Sequence, residues 1–170
     1  MNARPGNWNA TLGTREQPGA LRVCVVYEGI PDWRRAWMLL DHLRSTTDVT
    51  FAVEWFEFDE LPLFFEKACK MAVTADLVLV ASSKRQPVPG HVHRWLMAVR
   101  ERTEHQPAAL IGLFSESDPG ERVCPWERLL QDIAIASGRD LFIRATDANP
   151  ATPSRVGLNP PDQTVFTHSR

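Results

Sequence analysis

The strongest constraint on the fold is a regular alternation of short apolar runs with longer segments in which apolar residues recur every three or four positions. The apolar runs are rich in β-branched and aromatic residues, which is typical of strands buried in a parallel sheet. The runs predict five strands, at Leu21–Tyr27, Val49–Phe58, Asp76–Ser82, Ala108–Phe114 and Asp140–Arg144.

Four amphipathic segments lie between these runs, and their period of about 3.6 residues predicts helices. The predicted helices are about Pro31–Arg44, Glu60–Val73, His91–Thr103 and Pro125–Ser137. The expected buried face of the first helix is Trp33, Ala36, Trp37, Leu40 and Leu43, and that of the second is Leu61, Phe64, Phe65, Ala68, Cys69 and Ala72. We expect Asp59 to cap the start of the second helix and Gly138 to end the fourth.

Strict alternation of strands and helices predicts an α/β three-layer sandwich, with a five-stranded parallel sheet between helices on both faces. The expected strand order is 2-1-3-4-5, which is the flavodoxin-like topology. The domain is predicted to span 21–145. Residues 1–20 are predicted to be a flexible N-terminal tail and 146–170 a Pro-rich C-terminal extension, because neither end shows strand or helix patterning.

Composition narrows the classes of function. The chain has 19 Lys and Arg against 21 Asp and Glu, for a net charge of −2, which argues against a general nucleic-acid binder. No apolar run is long enough for a membrane span, and the first residues lack the apolar core of a secretory signal. Cys24, Cys69 and Cys124 have no zinc-site spacing. We therefore expect a cytoplasmic protein without a metal or cofactor, and without nucleic-acid or membrane partners.

Three segments resemble response-regulator receiver domains. DLVLVASSKRQPVPG, at 76–90, is similar to their third strand and the loop that follows it. RVCVVYE, at 22–28, is similar to their first strand, which ends in an acidic pair, and ASGRDLFIRA, at 136–145, is similar to their fifth-strand element. The resemblance extends over 21–145. It implies a receiver-like fold and a role in signal transduction.

The chain departs from the receiver pattern where receivers carry out chemistry. The resemblance places the metal-binding acidic pair on Tyr27 and Glu28, and the phosphorylated aspartate on Ala81. The hydroxyl residue after the fourth strand falls on Phe114 or Ser115, and the lysine after the fifth strand falls on Arg144. Ala81 has no nucleophile, and a single carboxylate is a poor Mg²⁺ site. The resemblance thus implies a degenerate receiver that has lost aspartyl phosphorylation and has no catalytic residues.

Two kinds of function remain open. The first is a non-catalytic signalling domain that binds a protein partner or a second copy of itself. The second is a small enzyme or ligand-binding protein that uses the C-terminal ends of the strands, where ligands bind in open α/β sheets. The residues expected around such a ligand are Glu28, Ser82, Ser83, Ser115 and Arg144.

Aromatic residues give a candidate interface. The chain has six tryptophans, and Trp33, Trp37, Trp95 and Trp126 are expected to pack helices on the sheet. Trp55 and Phe56 are adjacent on the second predicted strand, so their side chains point to opposite faces. Together with Phe58, they are expected to leave an aromatic surface exposed at a sheet edge, where it would bind a partner or a second copy.

Overall fold

The structure is a computed structural model, and it describes residues 19–83, 87–103, 108–114 and 125–145. The predicted tails lie outside the described residues almost entirely. So do Ser115, which is one of the candidate ligand-binding residues, and Cys124.

The described chain forms one parallel sheet. Its strands are β1 (Leu21–Tyr27), β2 (Phe51–Glu57), β3 (Leu77–Ser82), β4 (Ala109–Phe114) and β5 (Asp140–Ala145). They are ordered β2-β1-β3-β4-β5, so β2 and β5 are the edge strands. The predicted α/β sandwich with strand order 2-1-3-4-5 is confirmed, and it is consistent with a flavodoxin-like fold.

Helices cover both faces of the sheet. They are α1 (Ile30–Thr46), α2 (Phe65–Thr74), α3 (Gly90–Arg102) and α4 (Pro125–Ser137), with a 3₁₀ turn at Phe58–Glu60. The predicted end of the last helix is confirmed, because Gly138 has a φ of 66°, in the left-handed region that favours glycine. No helix in the described ranges is long and apolar enough to cross a membrane.

The core divides into two clusters, one on each face of the sheet. On the face packed by α2, α3 and α4, here called the three-helix face, Trp95, Leu96, Trp126 and Leu130 are buried. On the face packed by α1, here called the one-helix face, Ala36 and Leu40 pack on residues of the central strands. The sheet therefore has two separate apolar layers, and the larger one lies under three helices.

The start of the second helix differs from the prediction. The helix begins at Phe65 rather than Glu60, and Asp59 does not cap it. Glu57 and Glu60 instead form a capping box that closes the 3₁₀ turn. Pro62 has no N–H to donate, and the N–H groups of the next two residues both donate to the Glu60 carbonyl oxygen at 3.0 Å. The capping box and proline thus delay the helix by about one turn.

The buried face of α1 also differs from the prediction. Trp37, which was expected in the core, is 42% exposed, whereas Asp32 is buried. Asp32, Ala36 and Leu40 are the buried positions and recur every four residues. The true buried stripe is therefore rotated toward Asp32. Trp33 lies at its border and is half-buried.

The predicted aromatic surface at the edge strand is wrong for two of its three residues. Phe56 and Phe58 are both buried in the three-helix face. Phe58 stacks on Trp126, with ring centroids 5.7 Å apart. Trp55 points to the opposite face, where it is half-buried and lies 5.9 Å from the Trp33 ring. For Phe58 the prediction failed because helix α4 supplies an aromatic partner that the β2 sequence does not reveal.

Candidate functional site

Glu28 and Ser82 meet at the carboxyl ends of the neighbouring strands β1 and β3. The hydroxyl of Ser82 donates to Oε2 of Glu28 at 2.8 Å. The backbone N–H of Glu28 donates to the carbonyl oxygen of Ala81 at 3.0 Å. Strands β1 and β3 are parallel neighbours, and for this reason the residues that follow them meet at one edge of the sheet.

A second polar group joins α1 to the same edge. The hydroxyl of Ser83 donates to Oδ1 of Asp32 at 2.6 Å and accepts from Nη2 of Arg35 at 2.9 Å. The guanidinium of Arg35 also pairs directly with the Asp32 carboxylate. The Asp32 side chain is 4% exposed, so its charge is compensated inside the protein rather than by water. Asp32 is therefore held by one cation and one hydroxyl.

Asp32 and Arg35 are the site residues that the sequence analysis missed. Two signals were present in the sequence. Asp32 falls at the four-residue spacing of the buried positions Ala36 and Leu40, where a charge needs a partner. Arg35 follows three residues later, on a neighbouring position of the helix surface. The third member, Ser83, is 51 residues away from Asp32, and only the folded chain brings it there.

The other candidate ligand residues are more dispersed. Glu28, Ser82 and Ser83 lie together, as predicted. The sheet register places Arg144 beside Leu113 and Leu113 beside Ala81. Arg144 is thus two strands away from Ala81, which corresponds to about 10 Å at the usual strand spacing. The structure therefore gathers three of the five predicted residues, separates Arg144 from them, and does not describe Ser115.

Ala81 occupies the centre of this edge. It lies beside Tyr27 in one register pair and beside Leu113 in the other, and its side chain is completely buried in the one-helix face. A methyl group at this position can neither attack a phosphoryl group nor coordinate a cation. The described residues hold no group of three His, Cys, Asp or Glu side chains that is placed to bind a metal ion.

Burial is the main cause of the shifted pKa values of Tyr27, Cys24 and Cys69 in and beside the sheet. Burial raises the pKa of Tyr27 to about 12, with smaller contributions from the negative charges of Glu57 and Glu60. Burial also raises the pKa of the Cys24 and Cys69 thiols, because a thiolate is poorly solvated inside the core. Both thiols therefore stay protonated at neutral pH, and neither is an activated nucleophile.

No protein-family model matches the chain, and no curated protein matches it. The observations that bear on function are those at the carboxyl end of the sheet, namely the Glu28–Ser82 pair, the Asp32–Arg35–Ser83 group and the buried Ala81.

Proposed function

We propose that this protein is a receiver-like, non-catalytic signalling domain that acts by binding a protein partner and is not phosphorylated on aspartate. The buried methyl group of Ala81 carries the proposal. The resemblance assigns the phospho-acceptor to this position. Without a carboxylate there, no acyl phosphate can form, and the switching of such a domain has to depend on contacts with other molecules.

The two polar groups beside Ala81 support the same proposal. Mg²⁺ requires several oxygen ligands in near-octahedral geometry, and in proteins these are mainly carboxylates and water. Here the Asp32 carboxylate is already neutralised by Arg35, and Glu28 accepts a hydrogen bond from Ser82. A cation at this edge would have to displace the guanidinium of Arg35 and leave it partly buried without its partner, which is costly.

A small-ligand function at the same edge is the second candidate. The observation that favours it is the meeting of Glu28, Ser82 and Ser83, which supply a carboxylate and two hydroxyls. Open α/β sheets bind ligands at such edges. An anion or a small polar molecule, rather than a protein, would then be the partner.

The experiment is a titration of the full chain with beryllofluoride and Mg²⁺, followed by tryptophan fluorescence. Trp33 and Trp55 are suitable reporters because both lie on the one-helix face, and Trp55 is 6.2 Å from the Tyr27 ring. We expect no saturable change, and no mass increase after incubation with acetyl phosphate.

The matched control is Glu28→Gln, which removes the charge and keeps the side chain's size. A saturable response in the wild type that disappears in Glu28→Gln would overturn the proposal, since it would show a working phosphoryl site. A saturable response to inorganic phosphate without Mg²⁺, tighter in Glu28→Gln because a like charge is removed, would instead favour the small-ligand function.

A further inference from the structure

The turn between β2 and α2 is rigidly held from within. The side chains of Phe58 and Leu61 are buried in the three-helix face. The Leu61 N–H donates to the Phe58 carbonyl oxygen at 3.1 Å, and the capping box of Glu57 and Glu60 closes the turn. These contacts fix the backbone of the turn, and of its outward side chains they use only the Glu60 carboxylate.

The outward side chains of this turn are apolar. Pro62, Leu63 and Phe64 are consecutive and all exposed. Leu63 is 81% exposed and Phe64 is 47% exposed. Single exposed apolar residues are ordinary, whereas a contiguous apolar surface is a mark of interaction sites. A partner that binds this turn loses little of its binding energy to ordering, because the turn is already fixed.

The charge around the apolar residues is negative. From 54 to 66 the sequence has no Lys or Arg, and it contains Glu54, Glu57, Asp59, Glu60 and Glu66. Glu54 pairs with Lys67, and Glu66 pairs with Arg102. Asp59 and Glu60 are exposed beside Pro62, and in the described part of the chain neither forms an ion pair with Lys or Arg. The turn therefore presents apolar side chains next to uncompensated carboxylates.

We propose that the exposed side of this turn, formed by Pro62, Leu63 and Phe64 with Asp59 and Glu60, docks a segment of a partner protein that carries apolar side chains flanked by Lys or Arg. The inference rests on the proposed function of protein binding and names the surface and the chemistry of the partner. Apolar anchors supply most of the affinity in such contacts, and complementary charge supplies rate and specificity.

The charge also favours a foreign partner over a second copy of this chain. A two-fold dimer through this turn would bring the same patch together from both subunits. Asp59 and Glu60 would then face like charges across the contact, which is unfavourable. A cationic segment removes that repulsion.

The test uses a fluorescein-labelled amphipathic peptide of fourteen leucine and lysine residues, with binding to the full chain measured by fluorescence anisotropy at low and high salt. The double variant Leu63→Ser/Phe64→Ser is expected to bind at least about tenfold more weakly. Asp59→Asn/Glu60→Gln is expected to bind about threefold more weakly and to lose much of the salt dependence. Leu63→Ser alone serves if the double variant unfolds, because that side chain is almost fully exposed.

The matched control is Asp132→Asn/Ile135→Ser on α4, where an exposed carboxylate and an exposed apolar residue lie one helical turn apart. It is expected to bind like the wild type. The inference is overturned if the wild type does not bind the peptide, if the control loses as much affinity as the turn variants, or if a leucine and glutamate peptide binds equally well.

Light scattering tests whether a second copy of this chain, rather than a foreign partner, binds the turn. A dimer in the wild type that becomes a monomer in Leu63→Ser would assign the turn to a second copy and overturn the inference. An inert beryllofluoride titration together with absent peptide binding overturns only the docking surface. A saturable beryllofluoride response overturns the proposed function, whatever the peptide does.

Discussion

The two faces of the sheet are stabilised in different ways. On the three-helix face, α2, α3 and α4 bury a continuous apolar layer that includes Trp95 and Trp126. On the one-helix face, α1 is the only helix of the described residues that packs on the sheet. A helix is about 10 Å wide and strands are about 4.8 Å apart, so one helix covers only about two of five strands.

The one-helix face compensates with other contacts. Trp33 packs on Trp55 at the β2 edge, and the Asp32–Arg35–Ser83 group ties α1 to the end of β3. The two faces of the sheet therefore differ in the kind of contact that stabilises them. Apolar packing concentrates on the three-helix face, whereas the polar groups that define the candidate site lie where apolar packing is thinner.

The largest expected effect comes from truncating a buried leucine, and the same truncation is compared on the two faces. Leu130→Ala removes a fully buried side chain from under α4, and we expect it to lower the free energy of unfolding by about 4 kcal/mol. Leu40→Ala on α1 is expected to cost about 2.5 kcal/mol, because its less densely covered site relaxes more readily. Urea unfolding of both variants measures the difference. An equal or larger cost for Leu40→Ala would contradict the comparison.

The next prediction concerns the Asp32–Arg35–Ser83 group, which connects α1 to the end of β3. Arg35→Met leaves the buried Asp32 without its cation, and we expect a loss of about 3 kcal/mol in the free energy of unfolding. The double variant Asp32→Asn/Arg35→Met is expected to recover much of that loss, because it leaves no buried charge.

Helix α1 supplies its own control for this substitution. Asp41 and Arg44 form a pair at the same three-residue spacing, but both side chains are about half exposed. Arg44→Met is therefore expected to cost less than about 0.5 kcal/mol. Equal losses from Arg35→Met and Arg44→Met in urea unfolding would show that the Asp32 contact adds nothing.

A smaller effect tests how closely α4 approaches the sheet. A Cβ atom added at Gly112 on β4 would lie 2.5 Å from Cε2 of Phe114 and 2.9 Å from Cδ1 of Leu130. Phe114 is itself stacked on Trp126 and has little room to move. Gly112→Ala is expected to cost about 2 kcal/mol through overpacking. Gly90→Ala, where a Cβ meets nothing within 4 Å, is expected to leave the thermal midpoint unchanged or slightly raised.

The sequence predicted the fold well because the fold depends on local patterns. The predicted limits of β1 and α4 are those observed, and the parallel sheet follows from the alternation of strands and helices. These features arise from the periodicity of apolar residues, which is visible within each segment.

The errors arise where partners distant in sequence decide the outcome. Asp32 is buried because Ser83 and Arg35 compensate it, and Phe58 is buried because Trp126 stacks on it. Phe64 was expected on a buried helix face, yet it is 47% exposed because the helix begins after it. The proposed docking surface includes Phe64, a residue for which the local pattern gave the wrong burial.

The smallest predicted effect is a shift in the ionisation midpoint of Tyr27. This residue packs on the one-helix face, and its pKa is raised by burial and by the nearby charges of Glu57 and Glu60. Tyr27 is the single tyrosine of the chain, so absorbance at 295 nm reports its ionisation alone. Its midpoint is expected near pH 12 in the folded protein and near its ordinary value of 10 in urea. Removing charge with Glu57→Gln/Glu60→Gln is expected to lower the folded midpoint slightly. A folded midpoint near 10 would contradict both the burial and the negative potential.

The raised pKa of Tyr27 also makes its contribution to the free energy of unfolding depend on pH. Above pH 10 the unfolded chain has lost the phenol proton while the folded chain retains it, so the folded state binds more protons and stability falls as pH rises. The decline attributable to Tyr27 ends near pH 12, where the folded state also ionises. Tyr27→Phe has no phenol to ionise, so the difference in unfolding free energy between wild type and variant is expected to be constant below pH 10 and to shift in favour of the variant above it. A difference that stays constant up to pH 12 would show that the Tyr27 hydroxyl is as well solvated in the folded protein as in the unfolded chain.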